Sequence, residues 1–210
     1  MDNELGKLEK PEAAPFRAVR KLYLVPLVYG PEEAPADYLE LCQRYWEGVQ
    51  SSLASLETGA GKVKRIYHEA CFVAGEEGLR LVEKMNPGSY QVVKSRCDEG
   101  ARLEALEDPE KFGEFMDWQR CLVIGLVTQK AAAKVGEFYM EAVKCRFEHI
   151  ARRIEETLGP EEAGLFIISE GHQVQFPKDV EVFYIAPPAL DEIHRWQRDQ
   201  GRKVERPSEA

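Results

Sequence analysis

Two histidines and two glutamates stand where short apolar segments run out. His68 and Glu69 follow 62–67, a stretch that alternates polar and apolar residues, and Glu170 and His172 follow the continuous apolar run 164–169. An imidazole offers a neutral nitrogen ligand or a proton carrier near neutral pH, and a nearby carboxylate can complete a metal site or act as a base. Two imidazoles converging on one point, with Glu69 or Glu170 completing the set, would suit a divalent metal such as zinc or manganese. Arg146, His149 and Arg153 lie at the margin between the apolar and charged faces of a long helical stretch. From there Arg146 could neutralise an anionic ligand or a developing oxyanion. The bland alternatives are polar residues gathered at strand ends and border arginines that snorkel to water. His194, beside Trp196 on the last helical stretch, reads as surface or packing.

Sharper signatures are missing. There is no glycine-rich phosphate loop, no HExxH and no nucleophile-elbow GxSxG, and Gly75-Glu76-Glu77-Gly78 is too acidic to cradle a phosphate. Cys42, Cys71, Cys97, Cys121 and Cys145 are odd in number and contain no CxxC, so a zinc ribbon or a thioredoxin motif is excluded. They read as reduced thiols, mostly small core residues, with Cys71 and Cys97 as the candidates for reactivity. Lys plus Arg is 28 against 37 Asp plus Glu, a net charge of −9, which argues against nucleic acid as a partner. No apolar run reaches the ~18 residues of a membrane span, and the first residues lack the apolar segment of a signal peptide. A cytoplasmic protein with no membrane partner is the expectation.

The elements that must position these residues read as alternating strands and helices. Residues 1–18 form a loose leader and 200–210 a polar tail, with a single α/β domain over 19–199. The first strand is 21–29, placed at an edge or carrying a bulge because Pro26 cannot donate to a ladder. An amphipathic helix over 36–56 repeats Tyr38, Leu41, Tyr45, Val49, Leu53 and Leu56 at helical spacing. A second strand covers 62–68, a short helix ends at Asn86, and 89–94 is expected to be a third strand. The proline-free stretch between Pro109 and Pro160 holds a long helical hairpin over 109–158, turning near Gly125 or Thr128 and burying 122–127. Strands at 164–169 and 180–185 either pair as a hairpin or lie apart, since their connector is too short for a helical crossover between parallel neighbours. A last helix opens after Pro187. The pattern is that of a mainly parallel sheet of four or five strands with crossover helices, one strand being antiparallel or at an edge.

One family resemblance passes through these residues. Ile66-Tyr67-His68, the 75–82 stretch, Asn86-Pro87, Val92-Val93 and 97–106 resemble the opening of TraB-type proteins, and 146–154 followed by 164–172 is similar to their closing arginine helix and histidine-ended strand. The likeness covers about half the chain. The group includes Tiki and ChaN-like proteins, so the resemblance implies a two-part α/β core and, for some members, metal-dependent peptidase activity or haem binding. The chain departs from the pattern in that both glycines of the GxxH turns are absent, in Arg65-Ile66-Tyr67-His68 and Ser169-Glu170-Gly171-His172. Arg96 stands where the family has a glutamate, and of a glutamate–arginine–asparagine triplet only Arg146 remains. The residues thus leave two readings open. The first is a pocket at the carboxyl ends of strands for a small molecule, peptide or metal, formed by His68, His172, Arg146, Glu69 and Glu170 and belonging to a diverged hydrolase. The second is a non-catalytic homodimer held together by Phe112, Phe115, Met116, Trp118 and the apolar 122–126 of the hairpin.

Overall fold

The computed structural model describes residues 19–205, so the leader expected over 1–18 lies outside them. Five strands, β1 (Arg20–Pro26), β2 (Val63–His68), β3 (Arg102–Leu103), β4 (Ala163–Ile168) and β5 (Val180–Tyr184), form one sheet in the order β3-β2-β4-β1-β5. All pairs are parallel. The expected α/β class with crossover helices and a long helical hairpin is present, without the antiparallel strand. β4 is central and every residue of it is buried, as a strand covered on both faces requires.

The helices are α1 (Ala36–Ala60), α2 (Gly75–Met85), α3 (Pro87–Asp98), α4 (Pro109–Val123), α5 (Gln129–Thr157) and α6 (Pro188–Glu205). α6 runs past the point where the polar tail was expected to begin. One face of the sheet packs α1, α2, α3 and α6 around Tyr23, Val25, Ile66 and Leu165. The other packs α5 and the β4–β5 connector around Leu22, Leu24, Tyr67 and Phe166. Alternate residues of β1 and β4 thus feed opposite layers, the period of two that a strand imposes.

Three expectations are corrected and one alternative is decided. β1 is an interior strand between β4 and β5. Pro26 is tolerated because it closes the strand: Leu27 N–H resumes the ladder to Ile168 O at 2.9 Å, and the Tyr45 hydroxyl donates to the Pro26 carbonyl at 2.6 Å. The stretch 89–94 is part of α3. Asn86 accepts from Ser89 N–H at 2.9 Å, Pro87 takes a first-turn position where its missing N–H is no loss, and Ser89, Val92, Val93 and Arg96 are buried at helical spacing. Of the two arrangements left open for β4 and β5, the structure has them apart, with β1 between them, and their helix-free connector packs Val174 and Phe176 onto the α5 layer. The hairpin turns where expected, at Gly125 (φ +80°) and the N-cap Thr128, but its apolar tip is exposed.

Asn86 therefore joins two jobs: its side-chain oxygen caps α3 and its amide donates to Val28 O at 2.7 Å. Asn86→Ala strips both bonds from a buried position and is expected to lower stability by about 2–4 kcal/mol, read from urea unfolding midpoints at constant slope.

Candidate functional site

The carboxyl ends of β1, β2 and β4 and the buried face of α5 meet at a cavity of about 370 Å³. At its floor lies Arg146, 2% exposed and the largest fully buried side chain among the described residues. It reaches this depth because Val143, Arg146, Phe147, Ile150 and Ile154 share the buried stripe of α5. Its Nε donates to both carboxylate oxygens of Glu107 at 3.2 Å, and Nη2 donates to Glu69 Oε1 at 2.8 Å and to Glu107. Glu69 Oε2 accepts from Ser169 N–H at 2.8 Å and from the Ser169 hydroxyl. Glu107 is anchored by the backbone, as Leu106 and Glu107 N–H both donate to Cys71 O. Ala70, at φ +59°, makes the tight turn that sets Glu69 and Cys71 on either side.

Burial opposes ionisation of Glu69, but the Ser169 and Arg146 hydrogen bonds and the guanidinium charge outweigh it and hold its pKa below the ordinary carboxylate value. Burial likewise works against the charge of Arg146, and its two carboxylates outweigh it, so its pKa is raised. Two carboxylates against one guanidinium leave the cluster with a net charge of −1. The Arg146 Nη1 has no hydrogen-bond partner among the described residues, where no inaccessible side-chain nitrogen or oxygen lacks one. Nη1 is therefore the edge of the guanidinium that opens onto the cavity. The walls are aromatic: the guanidinium carbon lies 4.9 Å from the Phe112 ring centre and 4.6 Å from that of Phe115, and Phe115 packs against Tyr139 at 5.7 Å.

His172 also lines the cavity, wedged edge-on between Phe166 and Phe176 at 5.9 and 6.0 Å. Its Nδ1 accepts from Val174 N–H at 3.3 Å, so the neutral ring carries its hydrogen on Nε2. Burial lowers its pKa against the pull of Glu69, favouring that neutral form.

The other expected residues go elsewhere. His68 is 1% exposed and is absent from the cavity wall. Its Nδ1 meets Glu69 O at 2.7 Å and its Nε2 meets Ser89 Oγ at 2.9 Å, and burial lowers its pKa. Both ring nitrogens are thus engaged, and no lone pair is left for a shared ligand with His172. Glu170 turns to the other side of β4, where it accepts from Tyr184 at 3.1 Å and pairs with His194 Nε2 at 2.7 Å. His149 contacts Arg152, and Arg153 donates to Ala105 O at 3.2 Å; neither enters the cavity. Among the described residues no group of three or more His, Cys, Asp or Glu side chains is placed to hold a metal ion, so the donor set does not fit the zinc or manganese site expected from the two histidines. Burial raises the Cys71 thiol to about 11 and shifts Cys97 in the same direction, the opposite of what a reactive thiolate needs. Arg96 forms a buried pair with Glu57 at 3.0 Å.

Glu107, Ser169 and the aromatic wall of α4 were not legible as site residues. Glu107 sits in 104–108, a loop with no motif; its one cue is that a β3 exit loop belongs at the same sheet edge as His68 and Ser169. Comparisons of the chain with protein families, with curated proteins and with solved structures find no match.

Arg146→Met leaves two buried carboxylates without their cation and is expected to cost about 3–5 kcal/mol at pH 7. Because the folded Glu69 pKa is depressed, its contribution is complete above the unfolded value of 4.5 and is lost as pH falls through the lower folded one. In the variant that depression is gone and protonation relieves the unpaired charge. Urea titrations should therefore show the gap between wild type and Arg146→Met narrowing as pH falls below the ordinary carboxylate value.

Proposed function

We propose that this chain is a small-molecule-binding α/β protein whose ligand is planar, uncharged and carries a carbonyl or ring-nitrogen acceptor. One observation carries the reading: the Glu107–Arg146–Glu69–Ser169 network engages both carboxylates but leaves Arg146 Nη1 unpaired, and His172, whose Nε2–H has no acceptor among the described residues, lines the same aromatic-walled cavity. A cavity of this size with a few converging polar groups suits a compact ligand. The residual negative charge of the cluster disfavours an anion, which sets aside the role of Arg146 as a free anion ligand. A cation would face the two free donors, Nη1 and Nε2–H. A neutral acceptor uses both, and its ring lies against Phe112, Phe115 and Tyr139. The reading requires neither a metal nor the TraB-like resemblance.

Benzamide, benzylammonium and benzoate keep one ring and change only charge and acceptor. Calorimetry or saturation-transfer NMR should find benzamide the tightest and benzoate at least tenfold weaker. His172→Ala should weaken benzamide by about fivefold, one neutral hydrogen bond. Benzoate as the tightest of the three would overturn the proposal, and so would binding that ignores His172.

The exposed hairpin tip favours a second reading, self-association of two copies. Val123 is 82%, Ile124 76% and Val127 fully exposed, and Leu122 and Leu126 are also open. Such a patch on a tip is the kind a symmetric dimer covers. Light scattering at micromolar concentration should show a dimer that the pair Ile124→Asp and Val127→Asp converts to monomer without loss of thermal stability.

A further inference from the structure

A second cavity, of about 620 Å³, lies on the α1 side of the sheet between α1, the α2–α3 corner and the turn after β1. Its volume falls within the roughly 300–1,000 Å³ range of ligand pockets. Leu39, Cys42, Met85 and Pro87 give it an apolar lining, and Trp46 forms part of the wall. Gln43, Glu47, Gln50 and Gln91 add polar groups to the wall but are exposed or half-buried, whereas Trp46 is buried. The chain has three tryptophans. Trp118 donates its indole N–H to Glu114 at 3.3 Å and Trp196 donates to Asp37 at 2.8 Å. Trp46 is the most buried of the three, 6% exposed, yet its Nε1–H has no acceptor among the described residues. A buried indole N–H ordinarily finds a partner. Because no inaccessible donor is left unpaired, Nε1 retains contact with open space, and the cavity is the space that Trp46 lines.

Gly88 packs its backbone closely against the indole. A Cβ at position 88 would lie 2.4 Å from Trp46 Nε1 and 2.3 Å from Cδ1, so any other residue there would sit on the donor. The α2–α3 corner therefore tolerates only glycine beside the indole, whose N–H has no acceptor among the described residues. At the rim, Glu47 is engaged by Gln43 Nε2 at 2.9 Å, and its carboxylate sets a negative charge beside the opening.

We propose that this cavity binds an uncharged aliphatic molecule whose single acceptor, an amide, ester or ketone oxygen, takes the Trp46 indole N–H. The apolar lining accepts the chain at about 0.8 kcal/mol per buried methylene. A carboxylate head would have to shed its water beside Glu47, and an ammonium head offers no lone pair to the indole. The site is independent of the aromatic cavity on the α5 side, although Tyr29 borders both.

The test follows the three indole N–H resonances in a proton–nitrogen correlation spectrum of the full chain during titration with octanamide. Trp118→Phe and Trp196→Phe assign the Trp46 signal by elimination, so the assignment stands even where Trp46→Phe fails to fold. The Trp46 resonance should move downfield and saturate while the other two stay fixed. Octanoate and octylammonium should each bind at least tenfold more weakly, and Leu39→Phe, which fills the cavity, should weaken octanamide at least fivefold. A Trp46 signal stationary up to the solubility limit of octanamide overturns the proposal. Movement of equal size with octylammonium, or binding indifferent to Leu39→Phe, also overturns it.

Discussion

The side chain of Arg146 is the tie on which the site-bearing end of the molecule depends. It belongs to α5, yet its acceptors come from the turn after β2 and the loop after β3, and through Glu69 the network reaches the turn after β4. Four separately wandering segments are thus joined at one guanidinium. Such an arrangement is a poor means of gaining stability, since taking three charges out of water costs more than their mutual attraction readily returns. An apolar cluster of the same volume would hold these loops as well. What a charged cluster adds is geometry: a guanidinium fork and two carboxylates have few compatible poses, so the direction of the remaining edge, Nη1, is set to within the tolerance of a hydrogen bond.

The sheet topology explains why the cavity lies there. β2 leaves its carboxyl end toward α2 and the edge strand β3 on one face, and its neighbour β4 leaves in the other direction, through the connector on the α5 layer, toward β5. Where adjacent strands send their connections to opposite faces, a crevice opens that no loop crosses, and open α/β sheets bind ligands in it. Tyr29, Glu69 and Ser169 are the first residues beyond or near the ends of β1, β2 and β4, which is why one turn of chain from each strand suffices to build the wall. The second cavity uses the other side of the same exit from β1.

Much of the fold was legible in the residues. β4 announces itself as an unbroken apolar run, and α1 and α5 as stripes at helical spacing, because burial on both faces or on one face leaves those periods directly in the sequence. The stretch 89–94 departs from the expected strand: Tyr90, Val92 and Val93 favour strands locally, but Asn86 accepts from Ser89 N–H to cap a helix, and the bond of its amide to Val28 O, far away in sequence, holds that cap in place. At the site, Arg146, His172 and Glu69 stood out by type and position. Glu107 did not, since its partner is 39 residues away and its loop carries no spacing rule. His68 was overvalued because sequence cannot tell a histidine at a strand end that opens on a cavity from one whose nitrogens both find partners in the core. That difference is set by Ser89 on α3, the very segment whose structure was misjudged.

The helix α4 shows how little of this end is held by ordinary core packing. None of its residues is fully buried, whereas α5 beside it buries six. Its attachment runs through rings: Phe72 against Phe112 at 5.2 Å, Phe115 against Tyr139 at 5.7 Å, and Trp118 stacked on Phe138 at 4.8 Å. Each such pair contributes about 0.5–1.5 kcal/mol beyond its buried area, less than a stripe of enclosed aliphatic side chains would supply. The aromatic face of α4 is turned to the Arg146 guanidinium, so the same rings that attach the helix also close the cavity. Arg146 and α4 thus divide the work at the sheet edge. One fixes the polar floor, and the other supplies the aromatic wall above it.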